Sequence, residues 1–439
     1  MKSHTRPNKL SRTIVMLGLV SFFTDVASEM IYPLIPIFVA ALGSGALVLG
    51  IIEGIAESTA SLLKLVSGVL SDKWRKRKLL VLIGYSISSL VRPLTGLVGS
   101  AWHIVFIRMV DRIGKGIRTA PRDALIAAFA EEHQRGRAFG FQRAMDHSGA
   151  VVGPLFAFLS LIGLVLIFRQ NDFLLSLRWT FIFSLVPGLI AVWIIFFHVQ
   201  EKTESSVQTN TFNLTFKNFD RNFLTYLSIV FFFTLGNSSD AFLLLRVQEA
   251  IRHSGAFYHL ISHLPFLNQL IANSPSAQSN QEWINILFLP LVWAFFHMIK
   301  ALFSTPLGTL SDKIGRKTVI SLGWGIYTLV YFAFAYLDKL PGNWQILGTL
   351  ILFSIYAMHY AFCESAEKAL VVDIVPAQQR GSAYGLYNFA IGIGALPASI
   401  FFGIIYSMLG AAAAFSIGAV IALISVFLLL ILVKEPRTE

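Results

Sequence analysis

The sequence predicts an all-α integral membrane protein with twelve transmembrane helices in two pseudo-symmetric six-helix halves. Three observations carry that prediction. Of 439 residues, 55% are hydrophobic and 13% charged, and the mean hydropathy is +0.67, far too apolar for an ordinary soluble domain. The polar stretch Gly68-Val-Leu-Ser-Asp-Lys-Trp-Arg-Lys-Arg77 returns as Gly308-Thr-Leu-Ser-Asp-Lys-Ile-Gly-Arg-Lys317. Each copy ends a long apolar run, so the chain reads as two related halves. Finally, the basic residues fall in every second loop.

The loop charges fix the expected topology. Lys2, Arg6, Lys9 and Arg12 precede the first span, Lys73 to Lys78 follow the second, Arg135 and Arg137 the fourth, and Lys202, Lys217 and Arg221 the sixth. Lys313, Arg316 and Lys317 follow the eighth, Arg380 the tenth, and Lys434 and Arg437 the last. The loops near 41–46, 98–102 and 408–411 carry no Lys or Arg. The positive-inside rule therefore places both termini in the cytoplasm. Topology accounts for the net charge of +11, so no nucleic-acid partner is inferred. The long first apolar stretch contains acids and reads as a span rather than a signal peptide.

A helix needs about 20 residues to cross the hydrocarbon. The apolar runs divide as roughly 14–40, 47–70, 79–99, 102–127, 138–167 and 177–199 in the first half (1–200). A polar linker over 201–220 follows, and the second half (221–439) reads roughly as 223–246, 284–307, 317–337, 346–371, 382–408 and 411–433. Arg135-Gly-Arg-Ala-Phe-Gly140 and Arg380-Gly-Ser-Ala-Tyr-Gly385 echo each other before the fifth and eleventh spans. An insertion at about 251–283 is expected on the outer side. Within it His259 and His263, four residues apart, could grip a metal on a helix, but no third ligand is evident and an aromatic-rich lid is the plainer reading. The single cysteine, Cys363, lies inside a span, where it reads as a small buried hydrophobe.

The repeated Gly-x-x-x-Asp-Lys motif resembles the loop between the second and third spans of the major facilitator superfamily. That resemblance implies two six-helix halves around a central cavity. Arg75 stands where the family usually has glycine, whereas the second copy keeps Gly315. Arg112-Ile-Gly-Lys-Gly116 is similar to the family's fourth-span arginine motif, which is linked to proton coupling, with Lys115 where glutamine is common. Gly149-Ala-Val-Val-Gly-Pro154 resembles the exporter motif of drug and proton antiporters without its later glycines, and close packing through small residues explains it equally well. The segments Leu235 to Arg246 and Asp111 to Asp123 look like a bacterial branch of poorly defined substrate.

Ionisable side chains inside a span are costly and face a bundle interior or water, which makes each a candidate for function. Asp25 and Glu29 share a face midway along the first span, below Pro33 and Pro36, which should loosen its outer half. Burial favours the neutral form of a carboxylate, so either acid could carry a proton. The competing reading is an ion pair with the fourth span. There, Asp111, Lys115, Arg118 and Arg122 form one stripe running roughly 16 Å down the helix. Arg112 lies beside it. Arg122 and Asp123 read as an inner gate with Asp72 and Lys73, as do Asp312, Lys313 and Arg316 in the second copy. The fifth span offers Arg143, Asp146 and His147. Asn237 and Asp240 are assigned to one face of the seventh span and His297 and Lys300 to one face of the eighth. Glu364 and Lys368 are expected to pair with each other, and Glu53, Glu57 and Lys64 to make ion-pair contacts between the halves.

The expected function is secondary active transport of a small polar or anionic organic solute, coupled to protons, by rocking of the halves around a midplane site. Asp25, Glu29 and Asp240 are the proton-coupling candidates. Lys115, Arg118, Arg112, Asn237, His297 and Lys300 are the substrate-binding candidates. A multidrug exporter, a siderophore or metal-complex exporter, and a non-transporting membrane sensor are the alternatives. No metal triad, nucleophile elbow or phosphate loop is found, which argues against an enzyme, and no cofactor is expected. The partners are a small-molecule solute, protons and membrane lipid, and the chain is expected to be a monomer.

Overall fold

A computed structural model describes residues 10–74, 76–131, 135–166, 172–201, 219–251, 277–376 and 379–434. The first half opens with α1 (Arg12–Glu29), a 3-10 turn over Tyr32–Leu34 and α2 (Ile35–Ala41), which together form the first span. It continues with α3 (Ala46–Trp74), α4 (Arg77–Val91) with its 3-10 extension Arg92–Leu97, α5 (Ala101–Phe129) and α6 (Arg135–Leu166). The sixth span is α7 (Phe173–Phe183) and α8 (Leu185–His198). In the second half α9 (Arg221–Gly236) and α10 (Ala241–Ile251) make the seventh span. α11 (Ala277–Ile314), α12 (Arg316–Ala335), α13 (Gly342–Asp373), α14 (Arg380–Leu409) and α15 (Ala411–Leu432) complete the twelve.

Eleven of these spans are long and apolar enough to cross a membrane among the described residues. The remaining one is α5, whose charges disqualify it by composition. It packs against α3 and α4, and Arg108, Asp111 and Arg118 on it are buried. Its polar side is turned inward, as the charged stripe requires. The outer surface of the bundle carries the exposed large hydrophobics, including Trp102, Phe156, Trp193, Leu329 and Phe427.

Local chemistry explains where the helices begin. Ser11, Ser100, Asp172 and Asp220 each accept a backbone N–H of the following turn and cap α1, α5, α7 and α9. The second copy of the repeated turn depends on Gly315, whose φ of 92° is disfavoured for a residue with a Cβ. Arg75 in the first copy, and the side chains of Asp72, Lys73 and Asp312, lie outside the described residues, as do His259 and His263.

Both first helices of the halves are interrupted at corresponding places. Pro33 and Pro36 break the first span after Glu29, as the sequence predicts. The seventh span also breaks, between Gly236 and Ala241. Asn237 and Asp240 therefore do not share a helical face. They sit on unwound backbone, which is tolerated at this depth because it lines a cavity.

α1 begins and α15 ends at one face of the molecule, where Asn222 Nδ2 donates to the Lys434 carbonyl at 2.7 Å. We refer to this as the terminal face. The halves meet where α3 runs along α14 and α6 along α11. Glycines allow the first contact. A Cβ on Gly50 would strike the Ser399 carbonyl and one on Gly403 would lie 2.8 Å from the Ala46 carbonyl, while Ser58 Oγ donates to the Gly392 carbonyl. These contacts lie on the half of α3 away from the termini. Towards the terminal face the halves part: Val66 on α3 is 58% exposed, and a cleft of about 920 Å³ opens between α6 and α11.

Candidate functional site

Between the halves lies a polar cavity of about 630 Å³. Ten Lys and Arg residues and eight Asp and Glu residues line it, so its wall is cationic with histidines neutral. Asp25, Glu29, Arg112, Lys115, Arg118, Arg122, Asp123, Asn237, Asp240, His297 and Lys300 all contribute to that wall. Of the second-copy gate residues, Lys313 and Arg316 do not. Arg316 instead bonds Asp373 at 3.3 Å and Lys313 is exposed at the terminal face.

The fourth-span stripe splits into structural and open cations. Asp111 is held by Arg92 Nε at 2.8 Å, and the same arginine donates from Nη1 to the Thr24 carbonyl of α1 at 3.1 Å. Arg118 donates to Ser88 Oγ and lies 4.3 Å from the centroid of the Tyr85 ring. Arg122 grips Asp123 at 2.9 Å and reaches Ser21 of α1 at 3.3 Å. Arg112 and Lys115, by contrast, have no carboxylate oxygen within 4.0 Å among the described residues, and Arg112 Nε lacks a hydrogen-bond partner. Close approach of α4 to α5 sets this geometry, because Gly84 and Gly114 face each other with no room for a Cβ.

The acids of α1 are positioned by α6. A Cβ on Gly149 would lie 3.0 Å from Asp25 Cβ, and one on Gly153 2.9 Å from Glu29 Cβ. The Gly-x-x-x-Gly-Pro run thus packs α6 tightly against the acid-bearing face of α1. The ion pair between these acids and the fourth span is not what forms. Glu29 accepts from Trp293 Nε1 of the other half at 2.7 Å, and His297 Nε2 lies 3.8 Å away. Asp25 is half-buried at the cavity wall with no ion pair among the described residues.

In the second half Asp240 accepts from Tyr356 at 2.6 Å and from Tyr360 at 3.1 Å. Lys300 lies 4.4 Å from the centroid of the Tyr360 ring and 3.3 Å from Glu364. Glu364 also meets Arg143 of α6 at 3.6 Å. The expected pair of Glu364 with Lys368 is therefore replaced by pairs with Lys300 and Arg143, since the cavity brings α11 and α6 closer to this carboxylate than its own helix does. The contact expected of Glu53 also differs. Its ion-pair partner is Arg108 of its own half, at 2.8 Å. What crosses between the halves is a hydrogen bond from Ser239 at 3.2 Å, joined by Tyr32 on the same Ser239 hydroxyl at 3.2 Å.

Several of these participants escape a sequence reading. Tyr32, Trp293, Tyr356 and Tyr360 are aromatic residues in apolar runs and carry no local signal. Arg92 could have been found, because it stands before Pro93 at the end of a span on the side whose loops are poor in cations.

Comparison with known proteins supports the same architecture. A 32% identical relative, an uncharacterized MFS-type transporter of Methanocaldococcus jannaschii, aligns over 98% of this chain and 97% of its own length. The multidrug resistance protein MdtH of Salmonella arizonae is 24% identical over 86% of this chain and 81% of its own. Among solved structures, a mutant of the nucleoside transporter NupG superposes with a TM-score of 0.71 at 15% identity, covering 96% of this chain and all of that one. A D-xylose-proton symporter gives 0.64 at 16% identity, with 97% of each chain covered. The profile of the Major Facilitator Superfamily matches residues 17–273 and 254–439. With this match across both halves, and the twelve spans around a central cavity, the chain belongs to the major facilitator superfamily, a family of membrane transporters.

Proposed function

We propose that the protein is a proton-coupled secondary transporter of a small polar or anionic organic solute, working as a monomer by alternating access. One observation carries the solute class. Among the described residues no carboxylate oxygen lies within 4.0 Å of Lys115 or Arg112 at the cavity, while Arg92 and Arg108 on the same wall are each satisfied at 2.8 Å. Cations that no carboxylate contacts, in a low-dielectric site, favour an anionic group of the solute. Arg118, Asn237, His297 and Lys300 complete the wall that would hold the rest of it.

Proton coupling rests on acids that no cation holds. Asp25 lines the cavity free of ion pairs among the described residues, and Asp240 is bonded by two tyrosine hydroxyls. Glu29 couples differently, since its protonation would weaken the hydrogen bond from Trp293 that joins the halves. Arg122 and Asp123, with Asp72, Lys73, Asp312, Lys313 and Arg316, would hold the terminal face when it closes. The basic loops support a cytoplasmic position for that face, and a bacterial inner membrane is the setting we propose.

Drug export is the second reading, favoured by the resemblance to MdtH. A wall with more cations than acids disfavours lipophilic cations as cargo. The test is proton movement in proteoliposomes carrying a pH dye, challenged with pooled anionic, zwitterionic and cationic metabolites. A pH change that depends on an anionic pool and is lost in Asp25→Asn is the expected result. Accumulation of labelled solute without a pH change would remove the proton role. A response confined to the cationic pool would favour drug export.

A further inference from the structure

The cleft between α6 and α11 is not a separate pocket. Arg143, His147, Glu364 and Lys368 line both it and the polar cavity, so the two spaces meet at this charged seam. Beyond the seam the character changes. Val151 and Val152 of α6 face Met298, Ala301 and Leu302 of α11 across the cleft. Met298 is 43% and Leu302 64% exposed, which places this apolar rim at the outer surface of the bundle. The cavity therefore runs from Lys115 and Arg112, past Arg143 and Lys368, into an apolar slot that opens sideways between two helices of opposite halves. The open volume of the cleft is about 920 Å³.

A small polar solute would have no use for this slot. An anion with an alkyl chain would match it end to end. Its headgroup would meet Lys115 and Arg112 of the cavity, beyond the Arg143–Glu364 pair at 3.6 Å that spans the seam, and its chain would stay among apolar side chains instead of being drawn through the polar cavity. An apolar chain loses nothing in moving from lipid to an apolar cleft, so the headgroup contacts decide binding and the slot decides whether a chain is tolerated. We infer that the solute is a single-chain amphiphile with an anionic headgroup, which enters sideways from the leaflet at the terminal face with its chain between α6 and α11. This inference rests on the anionic-solute reading above and refines it.

The probes are dodecyl phosphate and ethyl phosphate, which share a headgroup and differ in chain, with dodecyltrimethylammonium as the cationic control. Equilibrium binding of each labelled probe is measured on the full chain in phosphatidylcholine nanodiscs, with empty nanodiscs subtracted. Ala301→Trp on α11 and Ala144→Trp on α6, both of which line the cleft, narrow it from its two walls, and Lys115→Gln removes the headgroup cation. Both tryptophan variants are expected to weaken dodecyl phosphate at least tenfold and leave ethyl phosphate within twofold, which also shows that they fold. Lys115→Gln should weaken both phosphates. If the tryptophan variants leave dodecyl phosphate unchanged, the side entrance is overturned while the anionic-solute reading stands on ethyl phosphate and Lys115→Gln. If dodecyltrimethylammonium binds and neither phosphate does, the headgroup assignment and the anionic reading fall together. Binding of no probe to the wild type overturns both as well.

Discussion

Lys115 and Arg108 differ by two turns of one helix and by the work their charges do. Arg108 is buried against Glu53 at 2.8 Å, so Arg108→Ala leaves a buried carboxylate without its partner. That is expected to destabilise the fold by about 3–5 kcal/mol, seen as a lower thermal unfolding temperature. Lys115 has no such partner among the described residues and faces the cavity. Lys115→Gln is therefore expected to leave the unfolding temperature near that of the wild type and to weaken an anionic solute by about 1.5–3 kcal/mol, roughly tenfold to a hundredfold in KM. Reversed outcomes, with Lys115→Gln unfolding early and solute affinity unchanged, would make Lys115 structural. Such a division could not be read from spacing, because Asp111, Lys115 and Arg118 share a stripe and only their neighbours on α4 distinguish them.

Among helices, glycine contacts separate stability from conformational balance. Gly114 belongs to a contact within one half, where an added Cβ would lie 2.6 Å from the Gly84 carbonyl and from Ser88 Oγ. Gly114→Ala should therefore overpack α4 against α5 in every state and cost about 1–3 kcal/mol of stability, measurable by thermal unfolding. Gly50 belongs to a contact between halves, against the Ser399 carbonyl. Gly50→Ala should instead penalise only the state in which α3 and α14 are closed away from the termini. Spin-label distances between the α2–α3 turn and the α12–α13 turn should lengthen in Gly50→Ala. Unchanged distances would show that α3 and α14 accommodate the methyl group by a local shift.

Across the two halves, closure away from the termini is held by a small polar set: Trp293 on Glu29, Tyr32 and Glu53 on Ser239, and Ser58 on the Gly392 carbonyl. With a cleft open on the terminal side, the protein is described in one of the states that alternating access requires. Trp293→Phe keeps the ring and removes the N–H bond to a carboxylate, a loss of about 1.5–3 kcal/mol for this closed arrangement. The expected result is a shift towards the state open on the far face, roughly tenfold or more in population, read by the same spin-label distances. An unchanged distribution would mean that the glycine contacts of α3 and α14 suffice to hold the closure.

The twelve spans, the two halves, the break at Pro33 and Pro36 and many of the charged residues that line the cavity were legible in the chain, though Arg92 was missed. Each depends on local chemistry: hydropathy over a span, the fixed φ of proline, and the helical period that gathers charges on one side. The break at Asn237–Asp240 was not legible, because no proline marks it and its stability comes from the cavity it lines. Nor were the partners of Glu29, Glu53 and Glu364, which lie on helices far away in sequence, or the side cleft, which is a space between α6 and α11 rather than a property of either. Hydropathy and period act along one segment and are written there, whereas pairing and cavity shape arise only when segments from two halves meet.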